Sequence, residues 1–104
     1  MEQEIKTKIE NMLKSKRIFL FMKGTPDQPQ CGFSARATQI LQELEADFGY
    51  FNIFDDMEFT NQVKQYANWP TTPMLFVDCK LIGGCDIMQQ LYLSGELMKI
   101  INLT

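Results

Sequence analysis

The sequence predicts an α/β fold, a mixed sheet of about four strands with helices on both faces. Three observations lead there. Helix-like and strand-like periods alternate along the 104 residues in the order αβαβαββαα. Helices lying between strands favour parallel pairing. The last two strands are too close in sequence for a crossover and must form a hairpin.

Each element follows from its residues. Ile5, Ile9, Met12 and Leu13 repeat at helical spacing and predict the first helix. Ile18 to Met22 is an unbroken apolar run, the pattern of a strand buried on both faces. Two prolines and a glycine between Lys23 and Gln30 stop regular structure and predict a loop. Phe33, Ala37, Ile40, Leu41 and Leu44 then mark a second helix, with Gly49 as its expected stop. Tyr50 to Phe54 is read as the second strand. Asp55-Asp56 offers cap residues for a third helix whose apolar face is Phe59, Val63, Tyr66 and Ala67. Trp69 to Pro73 breaks the pattern. Met74 to Val77 and Lys80 to Ile82 form the hairpin around Asp78-Cys79, and Gly83-Gly84 breaks the chain again. Ile87, Leu91 and Tyr92 mark a fourth helix, which Gly95 divides from Leu97, Ile100 and Ile101. No repeat or linker interrupts residues 1–104, so a single domain is expected.

Composition narrows the function. Net charge is −3, which gives no broad basic footprint and argues against nucleic acid as a partner. No apolar run approaches the ~20 residues of a membrane span. Three cysteines at irregular spacing (Cys31, Cys79 and Cys85) make a poor disulfide framework and point to a reducing compartment. The acidic, polar start from Met1 is unlike a signal or transit segment, so bacterial cytoplasm is expected ahead of mitochondrial matrix. The chain has no histidine, so hydrolase mechanisms built on a histidine base are excluded.

The chemistry converges on Cys31, placed where the loop ends and the second helix begins. Backbone N–H groups at a helix start favour the thiolate, which is the nucleophilic and metal-binding form. Lys23 stands at the end of the preceding strand and can fold over the same loop. Ser34 takes the place where a second cysteine would allow an internal disulfide. Cys31 therefore needs an outside thiol to complete an exchange; Ser34 itself reads as a helix cap. Three cysteines without histidine also cannot close a four-thiolate metal site within one chain, so a cluster would need ligands from elsewhere.

Four motifs in register, Lys23-Gly24-Thr25-Pro26, Cys31-Gly32-Phe33-Ser34, Trp69-Pro70-Thr71-Thr72-Pro73 and Gly83-Gly84-Cys85-Asp86, resemble the monothiol glutaredoxins of the Cys-Gly-Phe-Ser class. The last motif is similar to that of single-domain bacterial and mitochondrial members. The resemblance spans about Ile5 to Ile101. It implies a thioredoxin-like (glutaredoxin) fold with a cis peptide before Pro73. It also implies a glutathione groove. Thr72 would pair its backbone with the tripeptide's cysteine, Lys23 and Lys64 would approach the glycine carboxylate, and Phe33 would line the wall. Gly84, Cys85 and Asp86 would receive the γ-glutamyl end. Taken alone, Lys64 reads as a solvated charge, Asp86 as an N-cap, Cys85 as a small core residue and Trp69 as packing.

The resemblance further implies a homodimer that shares one [2Fe–2S] cluster, each subunit giving its Cys31 and one bound glutathione. Partners would be iron–sulfur scaffolds, recipient proteins and a BolA-like protein. The alternative activity is reduction of protein–glutathione mixed disulfides through Cys31 alone; the residues Thr25 to Pro29 favour the carrier by resemblance. Three positions depart from relatives. Met74 replaces a usual Gln, Thr60 replaces an Arg that helps bind glutathione in many, and Cys79 occupies a turn position usually held by Gly. Cys79 reads as an incidental thiol, with a regulatory disulfide to Cys31 or Cys85 as the alternative.

Overall fold

A computed structural model describes residues 1–102; residues 103 and 104 of the expected domain lie outside the described ones. The chain runs α1 (Gln3–Lys14), β1 (Ile18–Met22), α2 (Gly32–Glu43), β2 (Phe48–Asn52), a 3₁₀ turn (Ile53–Asp55), α3 (Met57–Ala67), β3 (Met74–Val77), β4 (Lys80–Gly83), α4 (Cys85–Ser94) and α5 (Glu96–Asn102). The strands lie in the order β2-β1-β3-β4. β1 pairs parallel with β2, and β3 pairs antiparallel with both β1 and β4. No helix among the described residues is long and apolar enough to cross a membrane.

Side chains alternate across a strand, so the apolar runs feed two cores. Ile18, Leu20 and Met22 of β1 join Leu75 and Val77 of β3 under Ala37, Ile40 and Leu41 of α2, with Met88, Leu97 and Ile101 beside them. Phe19 and Phe21 join Met74 and Phe76 on the other face, under Ile9 and Leu13 of α1 and Phe59 and Val63 of α3. Phe21 sits at the centre of this second core, its ring 5.2 Å from Phe19, 5.7 Å from Phe76 and 6.0 Å from Phe51. Full burial of each such side chain stabilises by about 1.5–3 kcal/mol.

Three local readings of the sequence are corrected. The second strand begins two residues earlier than expected, and Gly49 lies inside it opposite Phe19 rather than ending α2. A Cβ on Gly49 would come within 2.9 Å of the Phe19 ring, so glycine is there for packing. The stop is Glu45, left-handed at φ 56°. Its N–H donates to the Gln42 carbonyl and that of Ala46 to the Leu41 carbonyl, the bond pair of a Schellman motif. The strand also ends early, at Asn52. That side chain accepts the N–H of Phe54 at 3.1 Å and the N–H of Gly24 at 3.0 Å, which turns the chain and ties it to the loop after β1. Gly83 closes β4 opposite Leu75 instead of breaking the chain before it.

The remaining boundaries follow the sequence. Asp56 caps α3 by accepting the Phe59 N–H at 2.9 Å. Asp78 and Cys79 both have positive φ, the requirement of a type I′ hairpin turn. Gly95 separates α4 from α5. Arg17 fastens the end of α5, donating to the carbonyls of Ile101 at 2.6 Å and Ile100 at 3.0 Å while pairing with Asp78 at 2.9 Å.

Candidate functional site

The loop from Lys23 to Gln30 is folded on itself. The Gln30 N–H donates to the Lys23 carbonyl at 2.9 Å, and the Gln28 N–H donates to the Thr25 carbonyl at 3.0 Å. Gly24 has φ 87°, and a Cβ there would lie 2.5 Å from the Gln28 carbonyl oxygen. Only glycine fits this turn without moving backbone. The closed loop delivers Cys31 in extended conformation (φ −159°) immediately before the first helical residue of α2.

Cys31 is partly exposed. Its thiol is held below the ordinary value chiefly by the Ser34 N–H of the first helical turn. Desolvation opposes this, while the Phe33 N–H, the Lys23 charge and the Ser34 hydroxyl support it. The thiolate expected from its helix-start position is thus favoured by the surroundings it has.

Ser34 differs from its expected role. Cys31 occupies the cap position, and Ser34 lies within the first turn with its side chain turned inward, 0% exposed. Its oxygen accepts the Lys23 N–H at 3.0 Å, joining the end of β1 to the start of α2.

A groove of about 730 Å³ opens beside this helix start. All seven residues assigned to glutathione by the resemblance line it: Lys23, Phe33, Lys64, Thr72, Gly84, Cys85 and Asp86. The peptide between Thr72 and Pro73 is cis, as the resemblance implied. Cys31 itself lines an adjoining hollow of about 380 Å³ with Arg36 and Gln89. Groove and hollow share Phe33, Cys85 and Asp86, so Cys31 stands at their junction. Phe33 is 63% exposed, an apolar ring facing solvent between the two.

The groove is polar at separated points. Lys23 and Lys64 supply positive charge, and Asp86 supplies negative charge at the start of α4. Gly84 is the N-cap of α4 and has no side chain to satisfy the first N–H groups, so Asp86 is not the cap its position suggested. Cys85 is buried, and burial first, then Asp86, raises its thiol above the ordinary value despite Arg36. Cys85 is therefore a wall residue whose surroundings disfavour the thiolate. Trp69, read as packing, also lines the groove, and its buried Nε1 has no hydrogen-bond partner among the described residues.

Two departures from relatives prove to lie in the core. Thr60 is 0% exposed and donates to the carbonyls of Ile53 and Asp56, so it presents nothing to the groove. Met74 is also 0% exposed, within the second core. Cys79 lies across β4 from Cys85, roughly 13 Å or more at ~3.3 Å per residue. A disulfide requires Cα atoms within ~7 Å, so the bridge from Cys79 to Cys85 is excluded. Cys31 follows the opposite end of β1 from the Ile18–Val77 pair that precedes Cys79, which excludes that bridge too. All three cysteines are free.

Sequence reasoning missed Arg36 and Gln89. The signal for Arg36 was its place one helical turn beyond Phe33, on the face that carries the site. Among the described residues, no group of three or more His, Cys, Asp or Glu comes together as a metal site.

Comparison with known proteins agrees with this geometry. The profile of the glutaredoxin family matches residues 18–82. The chain is 44% identical to Probable monothiol glutaredoxin 2 of Rickettsia felis over 93 residues, 89% of each protein. It is 40% identical to Monothiol glutaredoxin-S11 of rice over 95% of its own length, but spans only 20% of that longer protein. The solution structure of reduced poplar apo GrxS14 superposes with TM-score 0.80 at 44% identity, covering 91% of this chain and 87% of that one. A buckwheat glutaredoxin–glutathione complex shares the fold, with TM-score 0.77 at 20% identity over 97% of this chain and 93% of that one.

Proposed function

The chain belongs to the glutaredoxin family, in its monothiol group, and from that premise we propose that it carries and transfers a [2Fe–2S] cluster. The observation that carries the reading is the single favoured thiolate at the junction of groove and hollow, with Ser34 where a second thiol would stand. One chain supplies one favoured thiolate at this junction, and a cluster takes four. Two copies of Cys31 and two glutathione sulfurs complete that number in a homodimer.

The groove accounts for how glutathione would be held. Lys23 and Lys64 suit the glycine carboxylate by charge. The uncapped start of α4, at Gly84, Cys85 and Asp86, suits the γ-glutamyl carboxylate and ammonium. Thr72 offers backbone groups to the tripeptide as an added strand would. Phe33 covers the tripeptide's flank. Because these contacts are non-covalent, two of the cluster's ligands remain exchangeable, which is what delivery to a recipient requires. Scaffolds, recipient proteins and a BolA-like protein are the partners of this reading. A reducing compartment, the bacterial cytoplasm before the mitochondrial matrix, suits its unpaired cysteines.

Reconstitution with iron, sulfide and glutathione tests the proposal. A coloured dimer is expected, one that bleaches when glutathione is removed and fails to form in Cys31→Ser. A colourless monomer that rapidly turns over a glutathionylated substrate would instead establish the reductase.

A further inference from the structure

Arg36 is a cation held in place without a counter-charge. Its helical neighbours one turn away are Gly32, Phe33, Gln39 and Ile40, so α2 offers it no acid where a pair would form. The carboxylate that α2 does carry, Glu43, accepts the Tyr92 hydroxyl. Among the described residues Arg36 joins no ion pair; those present are Lys16 with Asp47 and Arg17 with Asp78. The side chain is fixed all the same. Its guanidinium carbon stands 5.8 Å from the centroid of the Tyr92 ring on α4, and Nη1 donates to the Gln39 side-chain oxygen at 3.2 Å. Most of its N–H donors are left for another acceptor. It lines the hollow of about 380 Å³ beside Cys31, where Gln89 of α4 adds an exposed amide. Asp86 lines the same hollow and makes no bond to Arg36.

We propose that Arg36 selects the proteins that react at Cys31, favouring those that carry a carboxylate beside their own cysteine. The hollow places the incoming sulfur at Cys31 and a flanking side chain within reach of Arg36. A guanidinium fork takes a carboxylate through paired hydrogen bonds, and the Gln89 amide adds a neutral donor. Because Tyr92 and Gln39 already hold the guanidinium, little side-chain freedom is lost on binding. Such selection rests on the reading of Cys31 as the reacting residue and deepens it by naming the class of partner. It draws on neither the glutathione groove nor a cluster.

The test uses the full chain, without glutathione or iron, and three capped tripeptides: Glu-Cys-Glu, Gln-Cys-Gln and Lys-Cys-Lys. Each peptide's cysteine is joined to 2-thiopyridine through a disulfide. The Cys31 thiolate attacks the peptide sulfur. A new S–S bond joins peptide and Cys31, the old one breaks, and the thiopyridine leaves with the electron pair and takes a proton from water. Cys31 is oxidised to the disulfide level and the departing sulfur is reduced. The adduct on Cys31 is followed by mass after quenching and digestion. Each rate is divided by that of the same peptide with 2-mercaptoethanol, which removes the peptide's own reactivity. At low salt the Glu peptide is expected to outpace the Gln peptide about threefold, with the Lys peptide slowest. Arg36→Gln is expected to bring the Glu and Gln peptides within about 1.5-fold of each other, and Arg36→Lys to keep about half the preference. Lys14→Gln removes the same charge from exposed α1, which packs on the other core of the sheet, and is expected to keep the parent's preference. A preference unchanged in Arg36→Gln overturns the proposal. So does an equal loss in Lys14→Gln, which would mark a long-range field rather than a contact. Either result leaves glutathione binding and cluster carriage standing, whereas a Cys31 inert to all the peptides would overturn the reading of Cys31 along with the proposal.

Discussion

Replacing Gly24 by alanine should loosen the loop that presents Cys31 without unfolding the protein. Two costs add. The residue sits at φ 87°, where an L side chain pays roughly 1–2 kcal/mol against its carbonyl. The new Cβ would also meet the Gln28 carbonyl oxygen at 2.5 Å and the Gln30 nitrogen at 2.8 Å. Both are backbone atoms, so relief requires opening the loop. The bonds at risk are Thr25 N–H to Gln28 carbonyl and Gln30 N–H to Lys23 carbonyl, each about 0.5–1.5 kcal/mol net. The expected loss is thus about 2–5 kcal/mol, below the 5–15 kcal/mol typical of a domain. Urea unfolding followed by circular dichroism measures the loss, and mass-resolved alkylation of Cys31 reports its presentation. Gly32→Ala is the control. Nothing lies within 4 Å of its would-be Cβ, and its helical backbone suits alanine, so it should be neutral or stabilising by about 0.4–1 kcal/mol. Equal stability and equal Cys31 alkylation in the parent and Gly24→Ala would refute the reasoning.

Alkylation against pH should separate the two thiols near the site. The thiolate is the reactive form, so Cys31 should keep its rate as pH falls through the ordinary thiol range, whereas Cys85 should react only above that range; modification of Cys85 before Cys31 would contradict the site. Lys64→Ala should weaken glutathione binding roughly fivefold, an effect that calorimetry should find shrinking as salt is added. Arg17→Ala should lower stability by about 1–2 kcal/mol, a figure discounted for the exposure of its ion pair with Asp78, and hydrogen exchange should speed up first in α5.

Much of this was legible in the chain because the strongest signals are local. The run Ile18 to Met22 has no polar residue, and the structure buries every one of its side chains. The Asp78-Cys79 turn and the Gly95 break were read from single residues, and the groove residues from motifs in register. What was lost depended on neighbours far away in sequence. Gly49 looked like a helix stop because nothing local shows that Phe19 will lie against it. Glu45 has no intrinsic liking for a left-handed backbone, and two carbonyl partners in α2 hold it there. Asn52 ends its strand by capturing Gly24 across the sheet. Ser34 looked like a cap, since its inward turn toward Lys23 exists only once β1 and α2 have met. Thr60 and Met74 stood out as departures from relatives, and only the packed fold shows that both are buried.

The strand order has a consequence for synthesis. β1 is the centre of the sheet, yet Phe19 finds its antiparallel partner in Phe76, more than half the chain's length away. On the ribosome, Cys31 leaves the exit tunnel long before Thr72, Gly84 and Asp86, and the nascent chain passes through a stage with its thiol out and no pocket around it. Capture of a tripeptide, and any pairing of subunits that depends on it, must wait until the chain through Asp86 has emerged.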